Sequence, residues 1–341
     1  MAFEVDFLAV GDGEKSGDAI ALRFVDNQKQ TVVVIDGGTQ DSGKLLAQHI
    51  KQYYGANTVV EWAILTHPDS DHAFGLTALL EQIKVSNLIM HKPWEHVQAI
   101  KSELEKEYTP GGIERKIVEQ LQAAKDVEKA ALKNGTKVIE AFEGVKTNDG
   151  FIHVLGPSKE YYEQTLADVI NEIGTPSILY LANEVIKLVR ETLQAGSLKD
   201  PNENDTSPTN NSSLIILFNF DGYKLLFTGD AGVGALTRAA DYAVTQGIKL
   251  TDLQFFQVPH HGSKRNVGPT ILKRIKANTA FISAAAKSKK HPAKKVTNEL
   301  RRNGSQVFVT QGKHIMHSFP QSVRPGWGPV DPVPFYEEVE D

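Results

Sequence analysis

The 341-residue sequence contains no cysteine. That absence excludes disulfides, thiolate metal sites and cysteine nucleophiles. No apolar run approaches the roughly 20 residues needed to cross a bilayer, so no membrane association is expected. The opening stretch MAFEVDFLAV lacks the basic n-region and long apolar core of a secretory signal, and a cytoplasmic location is the expectation. What is present is the mixture of a soluble globular protein, 40% hydrophobic and 23% charged. The length suits one large α/β domain or two ordinary ones. A net charge of −5 conceals a segregation: Lys264 to Arg302 holds twelve Lys/Arg and one acid, Glu299, for +11, which leaves −16 on the remainder. A polyanion site produces such a pattern, and so does a set of solvated helix faces.

Along the chain, Phe3 to Val10, Ala19 to Val25 and Thr31 to Ile35 are β-rich runs divided by Gly/Asp/Asn turns. A helix over Ser42 to Tyr53, a strand at Trp62 to Leu65, a helix from Ala73 to Gln82 and a strand near Leu88 to Met90 follow. Glu95 to Lys133 and Lys159 to Leu193 read mostly as long helices, interrupted at Thr109-Pro110-Gly111-Gly112 and Gly174-Thr175-Pro176. Between them a strand pair is expected near Lys137 to Ile139 and Phe151 to Leu155, and Gly196 to Asn211 reads as a loop. Asp221-Gly222 then marks a hairpin between Leu214–Phe220 and Tyr223–Thr228. Strands at Leu253 to Val258 and Thr279 to Ser283 alternate with helices after it. Two β-rich parts flanking helical insertions predict two sheets packed together with helices outside. The proline-bearing stretch from Phe319, ending in acids, predicts a wrapping or mobile tail.

The chemistry concentrates at strand ends. His67-Pro68-Asp69-Ser70-Asp71-His72 places four potential ligands on the loop between a buried strand and a helix. Imidazole and carboxylate together suit Zn²⁺, Mn²⁺ or Fe²⁺. Asp230 closes another strand beside Gly229, and His260-His261-Gly262-Ser263 follows a third. Adjacent histidines are expected to point apart, so one of His260 and His261 is expected to ligate. His49, His91, His96 and His153 stand isolated and read as core or surface residues, and His314 and His317 read as part of a terminal strand. Gly11-Asp12-Gly13 reads as a turn, since no helix starts there.

Thr66-His67-Pro68-Asp69-Ser70-Asp71-His72, followed by Phe74-Gly75, resembles the HxHxDH motif of the metallo-β-lactamase superfamily, with Asp69 in place of the second histidine. Together with Asn210-Asn211-Ser212-Ser213-Leu214, Phe227-Thr228-Gly229-Asp230 and Val258-Pro259-His260-His261-Gly262-Ser263, it is similar to the hydrolase domain of ComEC-type DNA-uptake competence proteins. Gly17-Asp18-Ala19-Ile20, Val34-Ile35-Asp36-Gly37-Gly38 and His291-Pro292 also fall where that subgroup has its landmarks.

The resemblance implies an α/β fold, the αββα four-layer sandwich, over residues 1–318, with helical insertions at about 95–135 and 158–197 and a tail at 319–341. It implies two ions, Zn²⁺ or alternatively Mn²⁺. One would take His67 and Asp69, the other Asp71, His72 and one of His260 and His261, with Asp230 bridging. Asp36 would orient the motif loop from behind the ligands. The family's isolated third histidine is missing, and Asn210, a weaker ligand, stands at about that place. Two cations roughly 3.5–4 Å apart would generate a hydroxide near neutral pH. Asp71 would orient it, and His291 is the candidate donor of the leaving-group proton. Lys287, Lys289 and Lys290, with Ser263, are the candidate substrate contacts. The leading expectation is a phosphodiesterase or nuclease acting on nucleic acid or another phosphodiester. Hydrolysis of a small ester, lactone or thioester is one alternative, and a non-catalytic metal-binding module is another. The helical insertions could serve a homodimer or a protein partner.

Overall fold

Strands buried on both faces read as near-continuous apolar runs, and Thr31-Val32-Val33-Val34-Ile35 is the clearest case. In the computed structural model Val33 and Ile35 enter one apolar layer while Val32 and Val34 enter another. The structure describes residues 1–11, 13, 15–104, 109–172, 188–190, 197–327 and 330–340. The strands are β1 (Ala2–Phe7), β2 (Ala19–Asp26), β3 (Lys29–Gly37), β4 (Val60–Ile64), β5 (Val85–Ile89), β6 (Lys137–Ile139), β7 (Ile152–Gly156), β8 (Leu188–Arg190), β9 (Ile215–Phe220), β10 (Tyr223–Phe227), β11 (Leu253–Gln257), β12 (Ala277–Ile282), β13 (Gln306–Val309), β14 (Ile315–Phe319) and β15 (Glu338–Glu340). One sheet runs β14-β1-β2-β3-β4-β5-β6 and a second runs β13-β12-β11-β10-β9-β7, while β8 and β15 form a separate pair.

The helices are α1 (Gln40–His49), α2 (Ser70–Leu80), α3 (Val97–Ile100), α4 (Pro110–Gln120), α5 (Gln122–Asn134), α6 (Lys159–Glu172), α7 (Pro208–Asn211), α8 (Val233–Thr245), α9 (Pro269–Arg274) and α10 (Lys294–Arg302). Three apolar layers separate four structural ones. Phe7 and Phe24 of the first sheet meet Phe218, Phe255 and Phe281 of the second between the sheets. Fully burying each such ring stabilises the fold by roughly 1.5–3 kcal/mol. Leu46, Leu76, Leu79 and Val127 pack α1, α2 and α5 on the outer face of the first sheet. Leu236, Ile271, Val296 and Leu300 pack α8, α9 and α10 on the outer face of the second. The architecture is the expected αββα sandwich.

Parallel pairing of β3 with β4 and of β10, β11, β12 and β13 brings their C-terminal ends together at one rim. Helix α2 reaches that rim because glycines let backbones touch. A Cβ on Gly75 would stand 1.8 Å from the Gly37 carbonyl oxygen.

Three expectations change. Thr109-Pro110-Gly111-Gly112 does not interrupt a helix but begins one. The Thr109 hydroxyl caps Gly112 N at 3.2 Å and Pro110 occupies the first turn, where its missing N–H costs nothing. Strands β6 and β7 do not pair with each other: β6 runs parallel to β5 on the first sheet, and β7 antiparallel to β9 on the second. The long intervening loop carries the chain from one sheet to the other. Pro208–Asn211 is a short helix within the expected loop, capped by Ser207. Gly174-Thr175-Pro176 and the expected helix beyond Glu172 lie outside the described residues. Helices α3, α4 and α6 share a core of their own around Ile100, Ile117, Tyr162 and Leu166, so the two insertions pack on each other. The tail wraps: Val333 N donates to the Val307 carbonyl at 2.8 Å, and Asn298 of α10 exchanges hydrogen bonds with the Tyr336 backbone.

Candidate metal centre

Asp36 ends β3 in the left-handed conformation (φ 52°) with its carboxylate fully buried. It accepts from Thr66 N at 2.8 Å, from the Thr66 hydroxyl at 2.6 Å and from His72 Nδ1 at 2.8 Å. The first two bonds hold the loop after β4, and the third fixes the His72 tautomer with its Nε2 lone pair facing inward. The Thr66 hydroxyl, its own proton given to Asp36, accepts from His67 Nδ1 at 3.0 Å. Gly229 makes room for it, since a Cβ there would lie 2.6 Å from Thr66 Oγ1. His260 Nδ1 donates to Asn266 Oδ1 at 2.7 Å and His261 Nδ1 to the Ser283 carbonyl at 2.9 Å.

Four imidazoles are thus oriented from behind, and all four Nε2 atoms face one carboxylate. His67, His260 and His261 Nε2 each lie 3.8 Å from Asp230 Oδ2, and His72 Nε2 lies 3.5 Å from Asp230 Oδ1. His67 Nε2 is also 3.7 Å from Asp69 Oδ2. These gaps are too long for hydrogen bonds, but bonds of about 2.0–2.2 Å to a shared ion place ligand atoms this far apart. Buried polar groups ordinarily have partners. Here His67 Nε2, His72 Nε2 and Asp230 Oδ1 have none. The donor set therefore fits divalent cations. Asp71, His72 and His261 offer ligand atoms within 4.8 Å of one another, as do Asp18, His72 and Asp230.

The expectation that His260 and His261 point apart does not hold. Both residues have positive φ (47° and 56°), so the backbone coils instead of alternating sides, and both rings converge on Asp230.

Electrostatics follow from burial and proximity. Burial opposes the charge on Asp230, yet His72, His261 and His260 hold its carboxyl well below the usual range. Burial likewise opposes protonation of His72, but Asp230 and Asp36 outweigh it and raise the imidazole above its ordinary value. Burial pushes His261 down to about 3 and Asp18 up to about 8.

The remaining sequence candidates distribute unevenly. His291 is brought in, its ring 5.6 Å from that of His260 and 6.1 Å from that of His261. Burial, reinforced by His261 and His260, holds it down to about 3, so near neutral pH it offers a neutral imidazole and not an imidazolium proton. Asn210 turns its amide nitrogen to Thr206 Oγ1, donating at 2.8 Å. Ser263 is buried and its hydroxyl accepts from Arg265 N at 3.2 Å. Lys287, Lys289 and Lys290 are exposed on the segment that leads from Ser283 to His291. That segment is anchored by Lys287 N on the Gly13 carbonyl and by the Thr310 hydroxyl bonded to Ala284 N and O. A groove of about 350 Å³ opens between the motif loop and the first insertion, lined by Asp69, Asp71, Phe74, Gln120 and Gln122 among others. His314 instead accepts from Ala9 N, and His317 packs on Phe3 and Phe255.

Sequence reasoning gave no role to Asp18, Asn266, Gln257 or Ser283. Gly17-Asp18 carried a signal: a Cβ on Gly17 would stand 2.2 Å from the Asp71 carbonyl, so this glycine brings Asp18 against the motif loop. Asn266 had none, because its contacts are set only by the turn after His261.

The family model of the metallo-beta-lactamase superfamily matches residues 17–286. The chain belongs to the metallo-beta-lactamase superfamily. Its centre of His and Asp groups lies where that fold gathers strand ends, and members of the superfamily are generally hydrolases that use divalent metals. ComE operon protein 3 of Bacillus subtilis (strain 168) is 30% identical over 111 residues, which make up 32% of this chain and 14% of that protein. The match thus spans about a seventh of that relative's length. Among solved structures, the metallo-beta-lactamase fold protein YhfI from Bacillus subtilis is similar at 9% identity, covering 93% of this chain and 100% of that one with a TM-score of 0.45. A putative metallo-beta-lactamase from Thermotoga maritima is similar at 12% identity over 72% of this chain and 86% of that one, with a TM-score of 0.34. Among the described residues, no helix is long and apolar enough to cross a membrane.

Proposed function

We propose that this superfamily member is a metal-dependent phosphodiesterase or nuclease. The observation that carries the reading is the placement of the lysine segment: exposed Lys287, Lys289 and Lys290 lead directly into His291, whose ring stands against the two histidines that face Asp230. An anionic substrate led along those lysines arrives at the centre. The carboxylates Asp69, Asp71 and Asp230 enrich the donor set in hard oxygen, which suits Mn²⁺ as well as Zn²⁺.

His67 and Asp69 would hold one ion, with His260 completing it from across Asp230. Asp71, His72 and His261 would hold the other, and Asp230 faces both sets. Bound divalent cations supply Lewis acidity, lowering the pKa of water and offsetting phosphoryl charge. The protein's own part is to keep that arrangement ready. Asp36, Thr66, Asn266 and Ser283 fix the four imidazoles, Asp71 orients the attacking oxygen, and neutral His291 gives a hydrogen bond at the substrate. The groove beside Phe74 and the glutamines of the first insertion leaves room for the groups flanking the phosphate.

The test is hydrolysis of single- and double-stranded DNA, RNA and a generic phosphodiester with Mn²⁺ or Zn²⁺. Metal-dependent cleavage is expected, and Asp71→Ala should lower it by at least about a hundredfold, beyond the effect of losing a group behind a ligand. Charge reversal at Lys289 and Lys290 should weaken polynucleotide binding and flatten its salt dependence, with a slope change of about two or more. Turnover confined to lactones or thioesters, insensitive to salt, would replace this reading with that of an acyl hydrolase.

A further inference from the structure

Asp18 enters β2 from the loop before it and is 1% exposed. Its Oδ2 accepts from Gln257 Nε2 at 3.0 Å. Gln257 is itself locked, donating to the Gly229 carbonyl at 3.0 Å and accepting from Thr228 N at 2.6 Å. The other carboxylate oxygen, Oδ1, is buried without a partner. So are His72 Nε2 and Asp230 Oδ1, and the three residues each place a ligand atom within 4.8 Å of the other two. Three unsatisfied polar atoms on three separate segments do not converge at random, because each carries its own desolvation cost. His261 is excluded as Asp18's partner: its Nδ1 is 4.0 Å from Oδ1 and donates instead to the Ser283 carbonyl.

We propose that Asp18 is a direct ligand of the divalent cation held by His72 and Asp230. Asp71, which meets His72 in a second such group, would add a third carboxylate, and oxygen-rich coordination favours Mn²⁺ over Zn²⁺ there. The His67 side, with the same number of imidazoles and fewer carboxylates, favours Zn²⁺ more strongly. The two positions therefore differ in metal preference. The inference rests on the metal-dependent reading above and is independent of the substrate.

The bland alternative makes Asp18 only a clamp on Gln257, and Asp18→Asn separates the two. Asparagine keeps an acceptor for Gln257 but removes the charged ligand. The protein, stripped with chelator, is titrated calorimetrically with Mn²⁺ and separately with Zn²⁺, and Co²⁺ is added to read coordination by visible absorption. Asp18→Asn should weaken one Mn²⁺ equivalent by at least about tenfold, change the Co²⁺ spectrum, and leave the other equivalent and the melting temperature of the stripped protein close to wild type. Two Mn²⁺ equivalents bound with wild-type affinity and an unchanged Co²⁺ spectrum would overturn the assignment. Should Asp18→Asn fail to fold, a wild-type crystal soaked in Mn²⁺ decides the point. Anomalous density about 2.2 Å from an Asp18 oxygen supports it, and an ion beside His72 out of contact with Asp18 refutes it. Absence of phosphodiester cleavage with these metal results intact would retire the proposed function and leave Asp18 assigned.

Discussion

Asp230 and Asp6 are both buried carboxylates ringed by basic side chains, but they solve burial differently. Asp6 Oδ2 receives the Tyr54 hydroxyl, Arg324 Nη1 and, at 2.8 Å, His49 Nε2. Arg324 also donates to Glu4 at 2.9 Å and lies over the Tyr53 and Trp327 rings, 4.8 Å from each centroid. That cluster gathers three donors on Oδ2, leaves only Oδ1 without a partner, and ties the tail to β1. Around Asp230, four imidazole nitrogens stop 3.5 to 3.8 Å short. A buried set of histidine and aspartate is therefore no sign of a metal site by itself. The sign is several ligand atoms, imidazole and carboxylate together, oriented from behind and left without partners around one space.

Paired substitutions break or sharpen this contrast. Asp230→Asn carries the largest expected effect: metal-dependent hydrolysis should fall by at least about a hundredfold. The stabilisation that metal confers, about 4 kcal/mol at a thousand times Kd, should largely vanish. Denaturant midpoints with and without Mn²⁺ or Zn²⁺ check it, and an undiminished metal-induced shift would contradict the role of Asp230. Asp6→Asn should do the reverse. Leaving Arg324 without its fully buried counter-charge should cost about 3–5 kcal/mol of stability, while the metal-induced shift and the activity per folded molecule persist. Loss of metal binding in Asp6→Asn with stability intact would erase the distinction.

The two regions also differ in how far the sequence disclosed them. The motif loop was legible because His67, Asp69, Asp71 and His72 lie within six residues and follow a buried apolar strand. The sandwich was legible because strands buried on both faces are written as apolar runs. The convergence of His260 and His261 was not, since it depends on two successive left-handed residues where sequence reading assumes alternating sides. Asn266 reaches the centre through tertiary folding alone, and Asp18 was marked only by the glycine before it. The Asp6 cluster joins residues 318 positions apart, and no local pattern marks such a pair. The basic stretch was visible, but its occupant was not. Glu340 accepts from Lys294 N and Lys295 N at 3.1 and 3.2 Å, and Arg301 donates to the Val333 carbonyl at 2.6 Å. The acidic tail thus covers α10, and Lys287, Lys289 and Lys290 remain exposed beside the centre.

A third buried set tests the contrast at smaller scale. His96 bonds Glu163 through Nδ1 at 2.8 Å and Glu140 through Nε2 at 3.2 Å, so both ring nitrogens are satisfied. It should behave like the Asp6 cluster and affect stability without affecting metal. Burial opposes the charge on His96, but the bonds and charges of Glu140 and Glu163 raise it above the ordinary 6.5. Burial likewise raises Glu140, yet the bonds from His96 and Lys92 N bring it below the ordinary 4.5. A raised imidazole contributes its full stability below 6.5 and loses it as pH climbs through the folded value. A lowered carboxyl contributes fully above 4.5 and loses it as pH falls through the folded value. Both contributions are complete only between those limits. In urea melts across pH, the difference between wild type and His96→Gln should be largest in that window, roughly 1–2 kcal/mol on the scale of a charge-assisted hydrogen bond. It should shrink on the alkaline side. A difference independent of pH, or a His96→Gln protein that binds fewer metal ions, would show that a satisfied histidine–carboxylate set is not inert toward the centre.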